Sequence, residues 1–85
     1  MFINKAATGR NNLCGETITH LRIAMGISQR QLADPLQLDG LEIDKNAIQR
    51  IEAGKRFVTD IELVHLARVF RVSYTDLLGL PEADT

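Results

Sequence analysis

The chain has 85 residues, 45% hydrophobic and 25% charged, with a formal net charge of -1. This length allows one small core and excludes two, and the balance of apolar and charged residues excludes a disordered tail or a fibrous repeat. No apolar run reaches the roughly 18 residues of a membrane span, and the N-terminus lacks the charged-then-apolar layout of a secretory signal, so a cytoplasmic protein is expected. A single cysteine, Cys14, with only His20 and His65 far from it, gives no internal disulfide and no zinc spacing, so no metal and no cofactor is expected.

Residues 1–14 mix Asn4, Thr8, Gly9, Asn11 and Asn12 with scattered apolar groups and show no sustained period, which reads as a partly ordered arm. From Glu16 to Met25 the apolar positions Ile18, Leu21, Ala24 and Met25 recur at helical spacing, and Gly26 follows as a stop. Ser28 with Gln31 three residues on forms a capping box for a second helix carrying Leu32, Ala33 and Leu36. Pro35 falls inside that pattern, where it removes a backbone donor and disfavours the helical conformation of Asp34, so a kink or an early end is expected.

Asp39 and Gly40 signal a turn, and Leu41 and Ile43 are apolar positions of a connector expected to tuck onto the core. Asp44 caps a third helix from Lys45 to Ala53, with Ile48 and Ile51 inward and Gly54 as its stop. Thr59 or Asp60 caps a fourth, whose inner stripe is Leu63, Leu66, Ala67 and Phe70. Ser73 opens a last helix through Leu78, ending at Gly79. The reading is all-α, with an arm at 1–14, a folded domain at 15–80 and a polar tail at 81–85.

Charge is unevenly placed along this frame. Residues 45–58 carry four basic side chains, Lys45, Arg50, Lys55 and Arg56, against the single acid Glu52, while 36–44 carry only acids and 59–85 are acidic on balance. A cationic stretch between acidic ones can attract a polyanion or simply solvate a helix, and counting alone does not separate the two.

The order of motifs is more specific. Leu21-Arg22, Gly26-Ile27-Ser28-Gln29, Leu32-Ala33, Ile48-Gln49-Arg50-Ile51-Glu52-Ala53-Gly54-Lys55-Arg56, and Val72-Ser73 with Asp76-Leu77-Leu78-Gly79 resemble the Cro and phage-repressor-type (Xre) helix-turn-helix family over residues 15 to 80. The connector from Leu36 to Ile48 is about five residues longer than the family's usual turn, which resembles a subgroup with a lengthened loop between helices 2 and 3. The resemblance implies a compact five-helix lambda-repressor-like domain that binds double-stranded DNA, with helix 3 in the major groove.

By that resemblance Lys45, Asn46, Gln49 and Arg50 reach base edges. Lys45 or Arg50 could donate to guanine, and Asn46 or Gln49 has the paired donor and acceptor that matches adenine. Gln29 resembles the family's phosphate-clamping glutamine at a helix N-terminus, and Lys55 and Arg56 are expected on phosphates. Arg22 and Glu52 occupy positions that the family pairs as a partly buried ion pair tying helix 1 to helix 3. His20, His65, Cys14, Met25 and Phe70 read as ordinary surface or core residues.

The function expected is a sequence-specific transcriptional regulator acting as a homodimer repressor, with Tyr74, Leu77, Leu78 and Leu80 as apolar groups available for dimerisation. The alternative keeps the fold and discards the DNA, as a protein-interaction module of the antitoxin-like or antirepressor kind. An enzyme is not expected, because no nucleophile with a base and an orienting group, no paired-carboxylate cleft and no phosphate loop are present.

Overall fold

The computed structural model of the chain describes Ala6 and residues 8–80. The polar tail at 81–85 and the greater part of the arm's first seven residues lie outside that range. Five helices follow one another: α1 (Gly15–Ala24), α2 (Gln29–Leu38), α3 (Lys45–Glu52), α4 (Asp60–Phe70) and α5 (Tyr74–Leu78). Among the described residues there is no strand, and no helix is long and apolar enough to cross a membrane.

Short polar side chains set where the helices start. Ser28 Oγ accepts from the Gln31 amide at 3.1 Å while Gln31 Oε1 accepts from the Ser28 amide at 2.8 Å, so two otherwise unpaired donors are met at the head of α2. Thr59 and Glu62 repeat that exchange at α4, which makes Thr59 the cap and leaves Asp60 in the first turn. Asp44 Oδ1 accepts from Ala47 N at 2.8 Å to open α3, and Ser73 opens α5.

The ends of α1, α2 and α3 close alike, with a left-handed glycine one residue past the cap and the next amide reaching back five residues. At α3, Gly54 N donates to Ile51 O and Lys55 N to Arg50 O. At α4 the left-handed position falls instead on Arg71, with φ 57°.

The second helix does not end at Pro35. It runs on to Leu38, because Leu32, Ala33 and Leu36 on either side of the proline are buried. The amide that proline lacks would have served the carbonyl of Gln31, a residue on the exposed side of the helix where water can take the bond.

Ile18, Leu32, Leu36, Ile48, Ile51, Leu66 and Leu77 form the fully buried centre, drawn from all five helices. Leu41 and Ile43 of the connector are buried with them. Leu77, read from the sequence as available for dimerisation, is 0% exposed and belongs to this core. Leu78 is half-buried, so Tyr74 and Leu80 alone of that group remain on the surface. Cys14, also in the core and 1% exposed, is pushed up to about 11 by burial, far from thiolate chemistry.

Candidate nucleic-acid interface

The third helix is two-sided. Ile48 and Ile51 point into the core, each 1% exposed, and on the opposite side Lys45, Asn46, Gln49 and Arg50 are all exposed. Spacing of one, four and five residues puts these four on one face of a 3.6-residue helix, which presents two cations and two amides together. None of the four makes a side-chain hydrogen bond or ion pair among the described residues. The face is chemically unspent.

Glu52 fixes how this helix sits. Arg22 Nε donates to Glu52 Oε2 at 2.8 Å and Arg22 Nη2 to Oε1 at 3.0 Å, a two-point clasp that also reaches the Ile27 carbonyl through Nη1 at 2.9 Å. Burial pushes the Glu52 carboxyl up, but bonds from Arg22, Gln29 and Thr19 outweigh it and hold the group below the usual glutamate range. The same bond raises Arg22 further. The clasp ties α1 and the turn before α2 to the carboxyl end of α3.

Gln29, at the first position of α2, gives Nε2 to Glu52 Oε1 at 3.1 Å. Its amide is therefore oriented from behind, and the second N–H on Nε2 remains for another acceptor beside the α2 N-terminus. Lys55 is exposed and its side chain takes no partner within the described residues.

Arg56 is placed differently from Lys55. Its Nη2 and Nη1 donate to Glu62 Oε2 and Oε1 at 2.7 and 3.0 Å, and Nη1 also meets the Phe57 carbonyl at 2.9 Å. Glu62 is 8% exposed and its carboxyl is held low chiefly by Arg56. The guanidinium thus neutralises a buried carboxylate, which leaves Lys55 as the unpaired cation of the two among the described residues. The sequence offers Lys55 and Arg56 as equivalents, and the structure separates them.

Two groupings have no counterpart in the sequence reading. Arg10, Asn11 and Asn12 bond to carbonyls at the end of α3 and in the loop after it, where spacing gives no signal because the partners lie about forty residues on. On the far side, Asp39 Oδ2 accepts from Arg68 Nε at 3.0 Å and meets His65 Nδ1 at 2.7 Å, which holds Asp39 below the ordinary carboxylate range. His65 is therefore a joint between the end of α2 and α4, not a lone surface ring. Among the described residues no group of three His, Cys, Asp or Glu side chains could hold a metal ion.

Comparison with curated proteins and with solved structures returned no significant match. A family model described as helix-turn-helix matches residues 18–77, which span the clasp, the capped α2 and the outward face of α3. That family is one of DNA-binding domains, typically non-enzymatic, and the kind of function it carries is that of a DNA-binding regulator. On these residues and this arrangement, the chain belongs to the Cro/C1-type (Xre) helix-turn-helix family.

Proposed function

We propose that this protein is a cytoplasmic, sequence-specific double-stranded DNA-binding repressor that acts as a homodimer and lays α3 in the major groove. The observation that carries the reading is the exposed set Lys45, Asn46, Gln49 and Arg50 on a helix whose other side is locked by Ile48, Ile51 and Glu52. A rigid rod with free donors on its outer face suits base edges, because no side chain has to break an internal bond to reach them.

Phosphate contact falls to Gln29 and Lys55. Gln29 has a backed amide at a helix N-terminus, where backbone donors and the helix dipole favour an anion. Lys55 supplies a free ammonium in the loop that follows α3. Arg56 holds that loop through Glu62 and contributes to binding by position.

Two copies on a two-fold site would place their α3 helices about 34 Å apart, one turn of the duplex, or a multiple of it. The test is binding to random-sequence duplex over a salt series, with and without Arg50→Glu. Affinity that falls steeply with salt and is lost in Arg50→Glu supports the reading, and selection of bound fragments then gives the half-site spacing. Binding that is absent or indifferent to salt overturns it in favour of a protein-interaction module on the same fold.

A further inference from the structure

The segment before α1 is joined to the working end of α3. Asn12 Nδ2 donates to the carbonyls of Ile51 at 3.0 Å and Arg56 at 2.9 Å, while its Oδ1 accepts from the Gly15 amide at 2.9 Å. One side chain thereby joins the start of α1, the last turn of α3 and the loop beyond it. Asn11 adds two more ties, its amide to the Gly54 carbonyl at 2.9 Å and its Nδ2 to the Lys55 carbonyl at 3.1 Å. Arg10 Nη2 donates to the Glu52 carbonyl at 2.6 Å.

Glu52 O, at the end of α3, has no backbone amide upon it and takes the Arg10 guanidinium, which also suits the negative end of the helix dipole, while Ile51 O accepts from Asn12 besides Gly54 N and the carbonyls of 54–56 belong to the loop. The approach is close enough to require glycine at position 15, and at position 54 a φ of +74° already favours it. A Cβ on Gly54 would come within 2.7 Å of Arg10 Cζ, and one on Gly15 would run into the Ile51 carbonyl oxygen and within 2.8 Å of Asn12 Oδ1. Residues 10–12 lie outside the span 18–77 that matches the family.

We infer that Arg10 and Asn12 are positioning residues for duplex binding, acting through the carbonyls of 51–56 to fix the carboxyl end of α3 and the loop that carries Lys55. The inference rests on α3 being the duplex-binding helix. The loop has α3 on one side and the Thr59 cap of α4 on the other, and between them its backbone leans on the arm. Releasing the arm leaves the core residues in place and frees the loop to move away from the geometry in which its ammonium and amides meet one strand.

The experiment compares the full chain with Asn12→Ala, which carries no change in charge, and with Arg10→Lys, which keeps the cation but gives up the planar donor. Each is held well below its thermal midpoint and titrated with a pooled random-sequence duplex over a salt series, and amide hydrogen exchange is followed by NMR. Asn12→Ala is expected to bind about tenfold more weakly, the loss of a few partly buried bonds, and to exchange faster at the hydrogen-bonded amides of Gly54 and Lys55 while those of Leu36 and Leu66 keep their protection. Arg10→Lys is expected to move both readouts the same way by less, with the salt slope unchanged because no phosphate contact is removed.

Unchanged exchange at Gly54 and Lys55 in both variants overturns the inference, whatever the wild-type chain binds. Unchanged affinity with a loosened loop overturns it as well, and equal loss of protection across the core reassigns the arm to overall stability. A wild-type chain that binds no duplex defeats the reading of α3 itself, a result that needs neither variant. Should Asn12→Ala fail to fold, Arg10→Lys decides between these outcomes alone.

Discussion

Arg56 donates two hydrogen bonds of 3.0 and 2.7 Å to Glu62 in the first turn of α4, and the Glu62 carboxylate that accepts them is also half of the capping box with Thr59. A cation in this position is occupied by the fold before any polyanion arrives. Lys55, one residue earlier, is not.

The two basic residues should therefore part company on mutation. Lys55→Ala is expected to leave thermal stability within about 0.5 kcal/mol and to lower the slope of log affinity against log salt by about one. Arg56→Ala is expected to destabilise the fold by roughly 2 kcal/mol, since it strands a carboxylate that is 8% exposed, and to leave the slope of the folded fraction unchanged. Denaturant titration beside duplex titration reads both, and equal slopes lost in the two variants would contradict the assignment.

Breaking the Arg22 to Glu52 clasp should cost more. With side chains 15% and 7% exposed, removal of either partner leaves a charge that water reaches poorly, and Glu52→Ala or Arg22→Ala is expected to lose about 3 kcal/mol. The double variant should lose much less than the sum, because neither charge is then stranded. A chemically measured double-mutant cycle with additive losses would show that the two groups do not work as a unit.

Acid should unfold this protein through the same carboxylates. Glu52 and Glu62 are held below their ordinary value of 4.5, so the unfolded chain takes up protons more readily than the folded one. Their contribution is complete above that ordinary value and drains away as pH falls through the depressed folded range. Denaturant midpoints should thus be level near neutrality and fall below about pH 4.5, with a shallower fall in Glu62→Gln, whose reference stability is lower at neutral pH.

Pro35 gives the simplest stability test. Since α2 continues past it, Pro35→Ala restores the bond to the Gln31 carbonyl and is expected to raise stability by about 1 to 3 kcal/mol, read as a higher denaturant midpoint with the same m-value. A lower midpoint would mean that the proline's hold on the unfolded chain outweighs the missing bond.

The helices were legible because their boundaries are written locally. Ser28 with Gln31, Asp44, Thr59 and Ser73 at the starts, and Gly26, Gly40, Gly54 and Gly79 at the ends, each act within a few residues of where they stand. The early end expected at Pro35 fails for the opposite reason, since burial of Leu32 and Leu36 against other helices outweighed a local rule. The last helix misled in the same way: Leu77 looks free in a short amphipathic segment and is sealed by contacts with distant elements.

The exposed face of α3 follows from helical period once its cap is found. What period cannot give is which cations are already taken. Arg56 and Lys55 have the same sign and adjacent places, and only the approach of Glu62 tells them apart. Arg10 and Asn12 were hidden more deeply, because an arm without periodicity carries no clue to carbonyls that its side chains will meet in another element.

The thiol of Cys14 stands at the junction between that arm and α1, closed to solvent and kept in its protonated form. An alkylating reagent can reach it only while the core around the start of α1 is open, so the rate of labelling times that opening. The chain carries its own stopwatch for that event, one that runs without an added dye or tag.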